Sequence, residues 1–168
     1  MNLQAQKYIQ NLQLEAHPEG GYYRRSYQSN IILPSTSLPN RFKNSRLAAS
    51  AVYFLLTTDS FSAFHRLQAD ELWHFYAGTS VVLYLIHPDG RLETIEVGNP
   101  LINPNASFQA LIPAQTWFAA AVTATDSYAL VGCTLAPAFD FEDFELAEKM
   151  GLAKEYPQHA ELIELFVR

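Results

Sequence analysis

Residues 64–78, FHRLQADELWHFYAG, bring His65, Asp70, Glu71, Trp73 and His74 together around a short polar break between two apolar runs. An imidazole with an ordinary pKa of about 6.5 is the natural general acid or base at neutral pH, and a carboxylate beside it orients the ring and stabilises its cation. The same residue types also serve as metal ligands. Each chemistry requires the groups to share one face and to be shielded from water.

Side chains alternate along a strand, so His65 and Leu67 share one face while Phe64 and Arg66 take the other. Reading 64–78 as a hairpin leaves two registers open. With a loop of residues 68–70, Leu67 pairs with Glu71 and His65 with Trp73, which puts His65, Glu71, Trp73 and Phe75 on one face. With Ala69 and Asp70 alone as the loop, His65 lies opposite His74. Both faces are apolar, so alternation does not choose between them. Burying His65 and Glu71 unpaired costs roughly 2 to 7 kcal/mol for each polar group, so they must find each other, a ligand or water.

Two further stretches carry recognition chemistry. In EGGYYRRSYQS, residues 19–29, two arginines lie among three tyrosines. One face presents Tyr23 and Arg25, a ring and a guanidinium fork suited to a carboxylate or phosphate. Arg24 must face the other way. Gly20 and Gly21 permit a bend or a close backbone approach. Trp117, shortly after Pro113, is a candidate wall for stacking on a ligand. The expected site is therefore His65 and Glu71 for catalysis, with Tyr23, Arg25, Trp73, His74 and Trp117 for ligand binding.

The elements that must position these groups are mainly strands. Leu3, Tyr8, Ile9 and Leu12 recur at helical spacing and predict an amphipathic helix over about 2–13. From about 20 to 136, short β-branched and aromatic runs alternate with turn chemistry, the signature of an all-β sandwich or barrel. HPDG at 87–90 is the clearest turn: Pro88 presets φ, Asp89 caps locally and Gly90 takes positive φ. Residues 29–45, with two prolines, read as a long surface loop. Beyond Pro137 the pattern predicts helices over about 140–166, the first capped by Asp140 and stopped at Gly151, the second opened by Pro157. One domain spanning 1–168 is expected.

The 168 residues are 49% hydrophobic and 13% aromatic, enough for one core. Eleven Lys and Arg against seventeen Asp and Glu give a net charge of -6, which repels nucleic acid. The single cysteine, Cys133, lies in the apolar run YALVGCTL and reads as a buried thiol in a reducing compartment. No apolar run reaches the ~18 residues of a membrane span and no charged leader precedes an apolar one, so a cytoplasmic protein is expected.

The spacing His65, Glu71, Gly78 resembles the first cupin motif, with Leu67 in place of its second histidine and Asp59 in place of its first glycine. PAQTWF, residues 113–118, resembles the second motif, with Phe118 in place of its histidine. Together with HPEGGYYRRSYQS and LAPAFDFEDFEL, these stretches resemble the fifth cupin family, a branch of unassigned function. The resemblance implies a double-stranded β-helix of the jelly-roll type assembled as a homodimer. Cupins that bind transition metals supply three His and one Glu, and Leu67 and Phe118 coordinate nothing, so no metal and no other cofactor is expected. The chain is also similar to dTDP-sugar epimerases in keeping the first motif histidine without the second, which implies His65 as a proton-abstracting base. Three functions follow as expectations: binding of a small polar or anionic metabolite, such as a sugar or sugar nucleotide; metal-independent epimerisation or isomerisation; or a structural or storage-like dimer.

Overall fold

The computed structural model describes residues 2–168. Helix α1 (Leu3–Asn11) begins at Asn2, whose side-chain oxygen accepts from the Gln4 and Ala5 amides. The strands that follow are β1 (Glu15–Ala16), β2 (Tyr22–Gln28), β3 (Ile32–Leu33), β4 (Arg46–Leu47), β5 (Ser50–Thr57), β6 (Phe61–Leu67) and β7 (Asp70–Gly78). The second half adds β8 (Val81–Ile86), β9 (Leu92–Val97), β10 (Ala106–Ser107), β11 (Gln109–Ile112), β12 (Trp117–Val122), β13 (Tyr128–Ala136) and β14 (Phe144–Leu146). Helices α2 (Lys149–Glu155) and α3 (Ala160–Leu165) end the chain, with a 3-10 turn at Pro157–His159 between them.

The fold is an all-β jelly roll of two facing six-stranded sheets. One sheet runs β1-β2-β5-β13-β7-β11 and the other β10-β9-β8-β12-β6-β14. Phe54, Trp73, Leu83, Phe118, Val131 and their neighbours fill the space between them. The outer face of each sheet is partly covered. Ala5 of α1 packs on Leu55 and Leu130, while Leu152 of α2 and Ile163 of α3 pack on Phe64, Ile86 and Trp117. This double burial explains why β6 and β12 read as near-continuous apolar runs, with little alternation to betray their inner face.

The HPDG turn closes the β8–β9 hairpin as expected: the Gly90 amide donates to His87 O at 2.8 Å and Gly90 takes φ +82°. The 64–78 segment is different, because neither hairpin register forms. Strand β6 pairs with β12 and β14, and β7 pairs with β13 and β11. At Gln68 and Ala69 the chain crosses from one sheet to the other. Each strand satisfies its backbone elsewhere, so the local turn carries no ladder and His65 and Glu71 approach from opposite walls.

The region expected to be one helix from Asp140 to Gly151 also resolves differently. Asp140 caps as anticipated, accepting from the Glu142 amide, but only a 3-10 turn, Phe141–Asp143, follows. Phe144–Leu146 then joins β6 as an edge strand, and α2 runs through Gly151 rather than stopping there. Pairing with an open sheet edge outweighed local helix preference. The 29–45 loop likewise includes β3, which pairs with β4 to form a small two-stranded sheet of its own.

Candidate functional site

Lys, Arg, Glu and Asp are rarely buried without a partner, so buried ones mark where a fold does something other than pack. At one end of the barrel Glu19, His65 and Glu71 are all buried. They line a pocket together with His17, Tyr23, Arg25, Trp73 and Cys133. Phe139, Phe141 and Phe144 are further lining residues. The cavity has a volume of about 60 Å³. It is a narrow slot, with room for a few waters or the end of a small ligand.

His65 is held by its own strand. Its Nδ1 lies 2.8 Å from the Ala63 carbonyl oxygen. That oxygen only accepts, so Nδ1 carries the hydrogen and Nε2 faces the pocket with its lone pair in the neutral ring. The β6–β12 ladder pairs Phe118 with His65 and Ala120 with Ser62, so β6 contains one extra residue across this interval. Such a bulge re-aims side chains. Here Ser62 and His65, three positions apart, both reach the same carboxyl group: Ser62 Oγ donates to Glu19 Oε1 at 2.8 Å, and His65 Nε2 lies 3.2 Å from Glu19 Oε2.

Glu19 comes from HPEGG, the turn that joins β1 to β2. The turn is drawn onto β6 by a hydrogen bond from the Ala63 amide to Glu19 O, 2.8 Å. Gly20 sits at φ +114°, and a Cβ there would stand 2.0 Å from Phe61 O, so only glycine allows this approach. The Glu19 amide donates to His17 Nδ1 at 3.3 Å, and Glu19 Oε2 lies 3.4 Å from that same nitrogen. Oε2 therefore faces two ring nitrogens that both present lone pairs. A bare carboxylate is repelled by both lone pairs, so the contact favours a proton between Glu19 and His65 when one is bound.

Burial drives the electrostatics in the same direction. Loss of water pushes the Glu19 carboxyl up to about 6, against the opposing pull of His17, Ser62 and Arg168. It pushes Glu71 up to about 7, with His65 pulling back and Glu19 adding to the rise. Burial lowers His65 below its ordinary value, opposed by Glu71 and the Ala63 carbonyl, and lowers His17 as well. The Cys133 thiol is raised by burial and by both carboxyls, so it stays S–H.

Of the residues expected from sequence, His65, Glu71, Tyr23, Arg25 and Trp73 line this one pocket, and His74 and Trp117 do not. His74 points to the outer face of its sheet, where Nε2 lies 3.1 Å from Thr134 Oγ1 and Nδ1 3.0 Å from Gln109 Nε2. Trp117 packs outside the other sheet under the C-terminal helices, with the Arg66 guanidinium 4.4 Å from its ring centre. Strand alternation explains both, since His74 follows the inward Trp73 and Trp117 precedes the inward Phe118. Arg24 faces away from the pocket and donates to Leu12 O at 3.0 Å. Glu19 is the residue sequence reasoning missed. The signal was there in HPEGG, an imidazole and a carboxyl two positions apart, joined to two glycines that permit close approach.

The metal site of other cupins does not fit these residues. Leu67 and Phe118 occupy inner positions with hydrocarbon, and among the described residues no three His, Cys, Asp or Glu side chains form a group that could hold a metal ion.

Comparison with known proteins agrees with this architecture. Residues 6–147 match the family described as Cupin superfamily (DUF985). The chain belongs to that cupin family. Protein SO0799 from Shewanella oneidensis has a crystal structure that is similar to this cupin with a TM-score of 0.87 and 39% identity, covering 100% of this chain and 98% of that one. A hypothetical protein from Leishmania major is similar with a TM-score of 0.86 and 31% identity, over 97% of this cupin and 98% of that chain. YML079W of Saccharomyces cerevisiae, an uncharacterized protein, is 26% identical over 147 residues, 82% of this cupin and 72% of that protein. Oxalate decarboxylase from Bacillus subtilis is 14% identical with a TM-score of 0.53, over 90% of this cupin and 36% of that chain, a likeness of fold alone. Among the described residues, no helix of this cupin is long and apolar enough to cross a membrane.

Proposed function

We propose that this cupin binds a small polar or anionic metabolite in the mouth of its barrel, with His65 and Glu71 at the recognition centre and Tyr23 and Arg25 at the entrance. The observation that supports the reading is the buried Glu19–His65 contact at 3.2 Å on the wall of an open slot. Ionisable groups held there at a cost in solvation are the usual mark of a working site rather than of packing. The test is a metabolite screen by thermal shift. A ligand should raise the melting temperature of the wild type and not of His65→Ala, because a ligand stabilises only the state it binds. Equal responses in the two proteins would put the site elsewhere. No response to any metabolite would leave the third reading, a structural or storage-like dimer.

A second reading, a metal-independent sugar epimerase or isomerase, is favoured by the fixed tautomer of His65. Its Nε2 is aimed into the slot as a base, and Glu19 beside it can accept or return the proton, so a carbon acid next to a carbonyl could lose and regain its hydrogen. Solvent deuterium should then enter that carbon in the wild type and not in His65→Ala. The homodimer and the cytoplasmic setting belong to the same proposal. Exposed Tyr76, Phe108 and Leu111, on or beside the edge of one sheet, supply an apolar patch that a second copy would cover, and light scattering would read the dimer directly.

A further inference from the structure

The polar groups of the pocket divide into two sets. Glu19, Ser62, His65 and His17 satisfy one another. On β7, in the facing sheet, Glu71 and Trp73 stand two positions apart and so share the inner face. Glu71 is 7% exposed and Trp73 1%, and both Glu71 Oε2 and the Trp73 indole Nε1 are buried without a hydrogen-bond partner. The Trp73 N–H and the Cys133 S–H lie near enough to steady the Glu71 carboxylate, yet neither completes a bond on Oε2. One acceptor and one donor are left unmet at the inner end of a slot otherwise walled by Val52, Phe54 and Leu135.

Resting on the reading of this slot as a ligand site, we propose that its inner end is a hydroxyl-recognition subsite, where one ligand hydroxyl donates to Glu71 Oε2 and accepts from Trp73 Nε1–H. The ligand class is then a small hydroxylated acid, its anionic end at Arg25. Elimination leads to the hydroxyl. A methyl or methylene satisfies neither atom. A carbonyl or carboxylate oxygen accepts from the indole but turns a second acceptor toward Glu71 whenever that carboxyl is ionised. An ammonium donates to Glu71 but leaves the indole N–H unmet. A ligand group that takes the place of solvent there must make both bonds or lose affinity. At the mouth, Arg25 shares the inner face of β2 with Tyr23, and its guanidinium is exposed, with Gln28 Oε1 at 3.2 Å from Nη1. It is placed to meet a carboxylate or phosphate.

The test uses matched pairs of acids that differ by hydroxyl groups, glycerate and lactate against propionate, and gluconate against hexanoate. They are titrated calorimetrically into the full-length protein. Emission is followed in a Trp117→Phe background, where Trp73 is the remaining indole. Hydroxylated members are expected to bind at least about tenfold tighter than their deoxy partners and to change Trp73 emission, because a site built around a hydroxyl rejects the analogue lacking it. In Trp73→Phe and in Glu71→Gln, each checked for native circular dichroism, that preference should shrink to about twofold or less. Deoxy acids that bind as tightly as their partners, or a preference that survives in both variants, would overturn the hydroxyl subsite. The slot as a ligand site would still stand if that binding is lost in His65→Ala. Failure of every acid to bind would overturn the ligand class, whereas failure of the wider metabolite screen would overturn the site.

Discussion

Glu19 Oε2 stands 3.2 Å from His65 Nε2, although the two residues belong to the β1–β2 turn of one sheet and to a strand of the other. With Nδ1 of His65 committed to the Ala63 carbonyl, oxygen and nitrogen attract one another only when a proton lies between them, as it does below the Glu19 pKa of about 6. In Glu19→Gln the side chain offers an amide N–H that cannot leave. The long-range ¹⁵N spectrum of His65 should move from an intermediate Nε2 shift in the wild type to one typical of an unprotonated, hydrogen-bond-accepting nitrogen. An unchanged spectrum would mean that no proton is shared.

Glu71 yields a pH signature. Its folded pKa of about 7 exceeds its ordinary 4.5, so between those values the native state binds the proton more tightly than the unfolded chain. Stability from this group is full below 4.5 and is lost as pH rises through 7. At pH 8 the loss is on the order of 3 kcal/mol, because each tenfold gain in proton affinity is worth about 1.4 kcal/mol. Glu71→Gln, which carries no charge, should therefore be more stable than the wild type at pH 8 by about 2 to 3 kcal/mol and close to it at pH 4.5, measured by urea unfolding. His65 and His17 slope the other way, since falling pH protonates them first in the unfolded chain. Equal gains at both pH values would refute the assignment.

Arg46 holds the aromatic roof of the slot. Its Nε and Nη2 donate to the two oxygens of Asp143 at 2.6 and 2.7 Å, and both residues are buried. Asp143 is flanked by Phe139, Phe141 and Phe144, whose rings meet one another edge to face. Arg46→Met leaves a buried carboxylate alone, which costs about 3 to 5 kcal/mol. Hydrogen exchange across 138–147 should accelerate well beyond that of the barrel strands. Uniform acceleration everywhere would show that the roof is no separate unit.

Gly20→Ala should be costly out of proportion to one methyl group. The new Cβ meets Phe61 O at 2.0 Å and the backbone sits at positive φ, so the turn must retreat and take Glu19 with it. A loss of more than about 2 kcal/mol is expected together with loss of the His65 ¹⁵N signature. Retention of that signature would show that Glu19 does not depend on the close approach.

His74→Ala is the control. With its ring on the outer face, bonded to Thr134 and Gln109, its removal should cost about 1 kcal/mol of stability and leave ligand-induced thermal shifts unchanged. A lost response would mean that the outer face reports on the slot.

Much of this was readable from residue types. Alternation in YYRRSYQ separated Arg25 from Arg24, and the two-residue spacing of Glu71 and Trp73 put them on one face whatever strand β7 paired with. The HPDG turn and the N-terminal helix followed from local chemistry alone. What failed was long range. A tight polar break between two strands looks the same whether the strands pair or part to opposite sheets, and with both faces of β6 apolar nothing local marked the crossing. FEDFELAEKM has helical spacing, and only the unfilled edge of β6 makes part of it a strand. HPEGG hinted at Glu19 but not at its partner, which lies 46 positions away, and the bulge that turns Ser62 and His65 together exists only once β12 is beside β6.

The carboxyl that faces His65 rides on a short turn at the rim of the jelly roll, between its first two strands, and this has a consequence for how such molecules diversify. The wall contributes the imidazole and shuts out solvent, while five consecutive positions, 17 to 21, deliver the acid like an interchangeable cartridge. Rewriting that cartridge would change what the chamber does to its guest and leave the two sheets untouched, so close cousins in shape need not be cousins in reactivity.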